Sequence, residues 1–392
     1  MTTLKTQVLG IDFENPFILA SAPPTAKIAS IDKAFALGWG GAVFKTITPD
    51  DLEMIEASER YAIWKSGNKV CGFENIELLS HLTVQEWLDG IKFLRKKYPT
   101  KVQIASIMAP VVKEEWQKLV KTFNEAEIDA FELNFSCPHG MPEKGIGMAI
   151  GTHSEVSAMI TEWVMEVAQK PVLVKLSPNV SNIVEIAKAV EKAGANGLAA
   201  INTVQSLMGV DLDTFEPLPK VNGKTTFGGY SGMAVKPIGL RCVAQIRQNS
   251  DLPILGIGGI SNWQDAAEYM AVGADVVQVC TEGMVNGYGI VAAMKKGLLN
   301  YLKEKGFNSP ADLKNRAIKN IVEHKMLDKQ KQRYPLIDED LCVRCGKCVM
   351  ICEESENNAL AVVEGKVTVD KNLCIGCSLC SQVCPKAAIK MI

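Results

Sequence analysis

No apolar run in this 392-residue chain approaches the roughly 20 residues that a membrane-spanning helix needs. The opening MTTLKTQVLGIDFENPFILAS has no basic start followed by a long apolar core, so no export signal is expected and a cytoplasmic location is. Basic residues are not concentrated anywhere. With 42 Lys and Arg against 44 Asp and Glu, the formal charge is only -2, which argues against broad nucleic-acid binding. No Gly-x-Gly-x-x-Gly follows a strand-like run, so the usual dinucleotide fingerprint is missing. Low-complexity tracts are lacking too, and the only internal repeat is a cysteine pattern. What the chain does have is a hydrophobic content of 47% and a length that suits one domain of about 250 to 300 residues plus a smaller one.

Eight of the twelve cysteines fall in the last 51 residues, as two copies of Cys-x2-Cys-x2-Cys-x3-Cys: Cys342, Cys345, Cys348, Cys352, then Cys374, Cys377, Cys380, Cys384. This spacing wraps a metal cluster with three thiolates from a tight loop, while the fourth reaches a second cluster. The expected ligand sets are therefore Cys342, Cys345, Cys348 and Cys384 for one [4Fe-4S] cluster, and Cys374, Cys377, Cys380 and Cys352 for the other. The 32-residue offset between copies supports the exchange, because two equivalent loops can swap fourth ligands only if both motifs are complete. Zinc sites usually want ligands in two pairs, and a disulfide framework needs an oxidising compartment that nothing else suggests. Glu353 stands where the first copy would often carry the proline that Pro385 supplies in the second, at little cost since proline is not a ligand.

Upstream, short apolar or β-branched runs recur: Phe17 to Ala20, Gly41 to Phe44, Val102 to Ile107, Ala130 to Asn134, Val172 to Lys175, Gly197 to Ile201, Ile254 to Ile257 and Val276 to Val279. Between several of them lie stretches with helical apolar spacing, such as His153 to Gln169, Ile183 to Ala193, Pro237 to Asn249 and Trp263 to Val272. Alternating strands and helices predict parallel pairing, and eight units close naturally into a (β/α)8 barrel, with an open doubly wound sheet as the alternative. A TIM barrel over 1-305, a charged connector over 306-335 and a small α+β bacterial ferredoxin-like domain over 336-392 are expected. In a barrel the chemistry sits where strands end, and Ser21, Lys45, Asn134, Lys175, Asn202 and Gly258 stand there.

The run Phe131-Glu-Leu-Asn134-Phe-Ser136-Cys137-Pro-His-Gly140 leaves a strand and enters a loop with Gly145, Gly147 and Gly151. Such loops move easily. A thiol with a reference pKa of about 8.5 stays mostly protonated at neutral pH, so Cys137 is the candidate general acid, against the blander reading of an inert apolar residue. Packing is the expected duty of the Cys71, Cys242 and Cys280 thiols. Lys45 and Lys175 each end a strand that should be buried, and a buried ammonium needs an anionic or electron-rich partner unless it snorkels to solvent. A flavin, which gains negative charge on reduction, would be one. Gly256-Ile-Gly258-Gly259 after the seventh strand, Gly228-Gly-Tyr-Ser231-Gly232 after a long excursion from the sixth, and Cys280-Thr281 after the eighth offer backbone amides for a phosphate, though glycine turns also serve tight packing.

With Asn134-Phe-Ser136-Cys137-Pro-His-Gly, Asn75-Ile-Glu-Leu-Leu-Ser80, Lys175-Leu-Ser-Pro-Asn179 and Asn202-Thr203-Val in order, the chain resembles the pyrimidine-reducing part of dihydropyrimidine dehydrogenases. It is most like the catalytic subunit of the bacterial NAD-dependent enzyme: an FMN barrel related to class 1 dihydroorotate dehydrogenases, followed by a two-cluster ferredoxin domain. The resemblance covers nearly the whole chain. It implies that Ala20, Ser21, Lys45, Thr46 and Lys175 surround the isoalloxazine, while Ser231, Gly232, Gly258, Gly259, Cys280 and Thr281 hold the phosphate end. Asn75, Asn134, Asn202 and Thr203 would hydrogen-bond the pyrimidine, amides being both donors and acceptors, with turn or cap duty as the alternative for each asparagine. Ser136 would position Cys137.

In that family FAD and NADH bind a separate subunit, which agrees with the missing fingerprint and implies a hetero-oligomer. The implied reaction is reduction of uracil or thymine to the 5,6-dihydropyrimidine. Electrons pass from the partner flavoprotein through both clusters to FMN, hydride goes from FMN N5 to C6, and Cys137 protonates C5. A dihydroorotate dehydrogenase-like or other ene-reducing enzyme on another cyclic substrate, and an electron-transfer subunit, are the competing readings.

Overall fold

Eight parallel strands close into a barrel in the computed structural model, which describes residues 1-52, 55-135, 147-329 and 332-392. They are β1 (Phe17–Leu19), β2 (Gly41–Val43), β3 (Val102–Ile107), β4 (Ala130–Asn134), β5 (Val172–Leu176), β6 (Gly197–Ala200), β7 (Ile254–Ile257) and β8 (Val276–Val279). Each pairs with its neighbours in chain order, and β8 returns to β1 through Val277 opposite Phe17. Every residue of all eight is buried, which is why they read as near-continuous apolar runs rather than alternating ones. The closed barrel, not the open sheet, is the architecture.

One residue or more from each strand, among them Ile18, Val43, Ile104, Ala130, Leu173, Ala199, Leu255 and Val276, fills the interior. Val8 and Phe13, from the antiparallel pair Thr6–Val8 and Ile11–Phe13, pack into the same cluster and close its lower end. A helix follows each strand: Ile28–Leu37, Val84–Lys97, Lys113–Asn124, Ser154–Met165, Ile183–Lys192, Lys236–Arg247, Trp263–Ala271 and Ile290–Glu304. Their inner faces bury Phe35, Trp87, Trp116 and Phe123 against the strands. Thr83 starts the second helix with a capping box, its hydroxyl accepting from the Glu86 amide while Glu86 accepts from the Thr83 amide. The stretch His153 to Gln169 is α-helical only over Ser154–Met165, and tightens into an i to i+3 turn with the Val167 amide on the Val164 carbonyl.

Two strand-to-helix connections, after β2 and β6, build a four-stranded antiparallel sheet that the sequence did not suggest. Its order is Val204–Ser206, Gly228–Ser231, Lys69–Asn75, Tyr61–Ser66. Gly228-Gly229 reads as a turn but pairs as strand, with Gly229 opposite Asn75 and Tyr230 opposite Glu74. A Cβ on Gly228 would lie 2.6 Å from Glu74 Cγ and 2.8 Å from the Asn75 carbonyl oxygen, so glycine permits the approach.

By contacts the chain divides into Met1–Asn320 and Ile321–Ile392. Residues just after the last barrel helix stay with the first unit: Leu313 is buried, and the Ala317 amide donates to the Ala271 carbonyl at 2.9 Å. In the second unit Pro335–Ile337 pairs with Ile389–Met391, and Leu360–Val363 forms a hairpin with Lys366–Val369. Two short helices, Lys347–Glu354 and Leu379–Gln382, carry cysteines. The 32-residue repeat reaches into the backbone. Arg344 and Gly376, then Gly346 and Ser378, occupy matching left-handed positions at φ 55° and 71°, and 73° and 66°. Among the described residues no helix is long and apolar enough to cross a membrane.

Candidate active site

The C-terminal ends of the barrel strands and the antiparallel sheet enclose a cavity of about 730 Å³. Ala20 and Ser21 reach it after β1, Lys45 and Thr46 after β2, Asn134 from the end of β4 and Lys175 from β5. Asn202 and Thr203 follow β6, Gly258 and Gly259 follow β7, and Cys280 and Thr281 follow β8; the sheet adds Asn75, Ser231 and Gly232. All fifteen line one space. Ser136 and Cys137 lie outside the described residues.

At one end the amides hold one another. Asn134 Nδ2 donates to Thr46 Oγ1 at 2.9 Å, Asn202 Nδ2 donates to Asn134 Oδ1 at 3.2 Å, and Asn202 Oδ1 accepts from the Thr203 amide at 2.9 Å. Thr46 Oγ1 also meets Ser21 Oγ at 3.2 Å and Ser106 Oγ at 3.0 Å. Asn75 Nδ2 donates to the Gly229 carbonyl at 3.3 Å, tying the antiparallel sheet together. None of these bonds caps a helix. Buried Ser106, on β3, went unnoticed in the sequence.

Both strand-end lysines are buried rather than snorkelling, and each has a carboxylate opposite it. Lys45 Nζ lies 2.8 Å from Glu77 Oε2, and Lys175 Nζ lies 3.7 Å from Glu132 Oε1. Glu132 is fully buried, and Gln278 Nε2 donates to its Oε2 at 2.6 Å. A flavin was expected as the lysines' partner; these glutamates were not evident in the sequence. Glu132 was hidden in a run read as apolar, yet Ala130, Glu132 and Asn134 share the inward period of a strand. Charge and burial mark two further groups. Burial, then the Glu77 charge, pushes the Tyr61 hydroxyl up to about 12, and burial pushes the Cys280 thiol up to about 11 despite Lys175 and Lys45.

At the other end Gly258 and Gly259 take φ of +126° and +68°. A Cβ on Gly259 would sit 2.7 Å from the Lys236 amide nitrogen and 2.9 Å from the Gly232 carbonyl, so two turns converge on a spot that only glycine fills. Tyr269 braces this corner by donating to the Gly258 carbonyl at 2.7 Å. Ser231 Oγ meets Thr281 Oγ1 at 2.8 Å and the Phe73 carbonyl at 3.1 Å, joining the sheet to the β8 turn.

In the second unit two small cavities divide the eight cysteines into fours. Cys342, Cys345, Cys348 and Cys384 line one, and Cys352, Cys374, Cys377 and Cys380 the other. Each cavity thus draws its fourth cysteine from the other copy of the motif. Each fourth thiol also accepts an amide, from Ala388 to Cys384 Sγ at 3.2 Å and from Ala359 to Cys352 Sγ at 3.3 Å. Among the described residues no three His, Cys, Asp or Glu side chains converge as a single-ion site; four thiols ring each cavity instead.

Residues 3-302 match the family described as dihydroorotate dehydrogenase, and residues 335-391 match the 4Fe-4S dicluster domain. The chain belongs to the dihydroorotate dehydrogenase family. It is an oxidoreductase of that family carrying an iron-sulfur module. Over 355 residues, 90% of this chain and 85% of the relative, it is 40% identical to the NAD-dependent dihydropyrimidine dehydrogenase subunit PreA of Escherichia coli K12. Identity to the chloroplastic dihydropyrimidine dehydrogenase (NADP(+)) of Arabidopsis thaliana is 36% over 341 residues, covering 84% of this chain and 80% of the plant protein. The catalytic subunit of dihydroorotate dehydrogenase B (NAD(+)) from Pyrococcus abyssi is 37% identical over 316 residues, 81% of this chain and 99% of that one.

FMN and two [4Fe-4S] clusters are the cofactors of this pair of domains, and the residues present fit them. Gln278 Oε1 is buried in the cavity wall without a hydrogen-bond partner among the described residues, a polar atom that a flavin there would meet. The two sets of four thiols would supply a complete set of ligands for each cluster.

Proposed function

We propose that this family member reduces uracil or thymine to the 5,6-dihydropyrimidine, drawing electrons from a separate NADH- and FAD-binding flavoprotein in a cytoplasmic hetero-oligomer. One observation carries the choice of substrate. The amide cluster of Asn134, Asn202 and Thr203 shares its cavity with Lys45 and Lys175, and Glu77 and Glu132 offset both of those charges. With both strand-end charges offset, the lining beside these amides suits a neutral ring of alternating carbonyl and N-H groups better than orotate, whose carboxylate would want a cation next to the amides. The E. coli similarity supports the same reading, because 355 aligned residues are too many to be confined to the barrel match.

Bound FMN supplies the hydride for C6, and the clusters, once assembled, carry electrons singly. The protein's own residues do the rest. Asn75, Asn134, Asn202 and Thr203 hold the ring by its polar edge; bonds linking Asn134, Asn202 and Thr203, and that of Asn75 to the Gly229 carbonyl, orient these groups before substrate arrives. Lys45, Lys175, Ala20, Ser21 and Thr46 would bound the flavin ring, and Ser231, Gly232, Gly258, Gly259, Cys280 and Thr281 would bound its phosphate end. Cys137, positioned by Ser136, delivers the proton to C5. Changing Cys137 to alanine should reduce turnover by about 10²- to 10⁴-fold, the usual worth of a general acid, while FMN content stays at the wild-type level. Turnover within a few-fold of wild type would remove the thiol from the mechanism.

A further inference from the structure

We propose that Glu132 is a positioning residue that holds Lys175 in place and, by its negative charge, keeps the reduction potential of the bound flavin low. The inference rests on the reading of the cavity as a flavin site. Lys175 stands in the cavity wall, and below it inside the barrel lies Glu132, without exposure to solvent and 3.7 Å from the ammonium. Gln278 fixes the carboxylate from β8 through the 2.6 Å bond to its Oε2. Burying a carboxylate is costly, and here it does more than satisfy Lys175. Two-electron reduction of a flavin leaves it with an added negative charge that an ammonium favours and a carboxylate opposes. Lys175 alone would draw electrons onto the flavin; the pair is close to neutral and leaves the reduced form a stronger hydride donor.

The test is an equilibrium titration of the anaerobic holoprotein with dithionite against a reference dye, following flavin absorbance. Glu132→Gln should fold. The new amide oxygen can still accept from Gln278 Nε2. The variant's equilibrium should favour the reduced flavin about tenfold more than wild type, or ~30 mV for a two-electron couple. Glu132→Asp, which keeps the charge, should stay within about twofold of wild type. The double variant Glu132→Gln with Lys175→Gln should return to within about threefold, and it decides the matter if the single variant fails to accumulate. An unchanged or lower potential in Glu132→Gln, or a double variant that stays displaced, overturns the proposal. Failure of the substrate reading looks different: orotate, but not uracil, would reoxidise the reduced flavin while the order of potentials stood.

Discussion

Gly259→Ala tests the cavity's phosphate corner by a contact that cannot relax. The new Cβ would lie 2.7 Å from the Lys236 amide nitrogen, 2.8 Å from Lys236 Cβ and 2.9 Å from the Gly232 carbonyl. Two of these neighbours are backbone. At φ +68° alanine also carries the left-handed penalty of about 1 to 2 kcal/mol. Overpacking adds about 1 to 3 kcal/mol, for a total of about 2 to 5 kcal/mol. Gly306→Ala is the matched control. Gly306 has φ +69° with nothing within 4 Å of its Cβ position, so it should lose only the conformational part. In a domain of this size 1 kcal/mol shifts a melting midpoint by about 2 to 4 °C, so Gly259→Ala should melt roughly 4 to 20 °C below wild type and Gly306→Ala about 2 to 8 °C below. The assay is thermal release of flavin fluorescence from the holoprotein, with FMN content measured beforehand. Equal losses in the two variants, with full FMN in both, would refute the convergence of the Gly232 and Gly259 turns.

Cys384→Ser and Cys342→Ser should abolish the same low-temperature paramagnetic signal and Cys352→Ser the other, each leaving about four of eight irons per chain; loss of the same signal by both Cys342→Ser and Cys352→Ser would contradict the exchange of fourth ligands. Glu77→Gln leaves Lys45 without its 2.8 Å carboxylate, and orotate should then inhibit roughly tenfold more strongly, about 1.4 kcal/mol, in steady-state assays. Cys280, whose thiol burial pushes up to about 11, is almost wholly protonated at pH 8. Iodoacetamide should therefore modify it about tenfold faster for each pH unit between 8 and 10 in the flavin-free protein, as read by mass spectrometry; a rate already saturated at pH 8 would contradict the burial.

The barrel was legible because burial on both faces leaves strands as dense apolar runs, and the eight runs match the eight strands to within a residue at each end. The cysteine module was legible because ligand spacing is local chemistry, and residues 335-391 match a dicluster domain. The antiparallel sheet was not. Its strands lie in two connections far apart in sequence, and Gly228-Gly229 carried the signature of a turn when its real constraint was the approach of Glu74 and Asn75. Glu77, Glu132 and Gln278 escaped for a related reason. A lone polar residue in an apolar run shows its partner only when strands from distant parts of the chain are set side by side. The lysines announced that a negative charge was needed; the fold shows that the protein itself provides one.

In the proposed reaction a neutral pyrimidine ring takes electrons from the flavin of this barrel. This transfer is tested most directly by reducing the anaerobic holoprotein photochemically, mixing it with uracil, thymine or orotate, and following flavin reoxidation together with product identity. Rapid reoxidation by uracil or thymine, with the matching 5,6-dihydropyrimidine as product and orotate at least tenfold slower, is the predicted result. Reoxidation by orotate alone, or by none of the three, would contradict it.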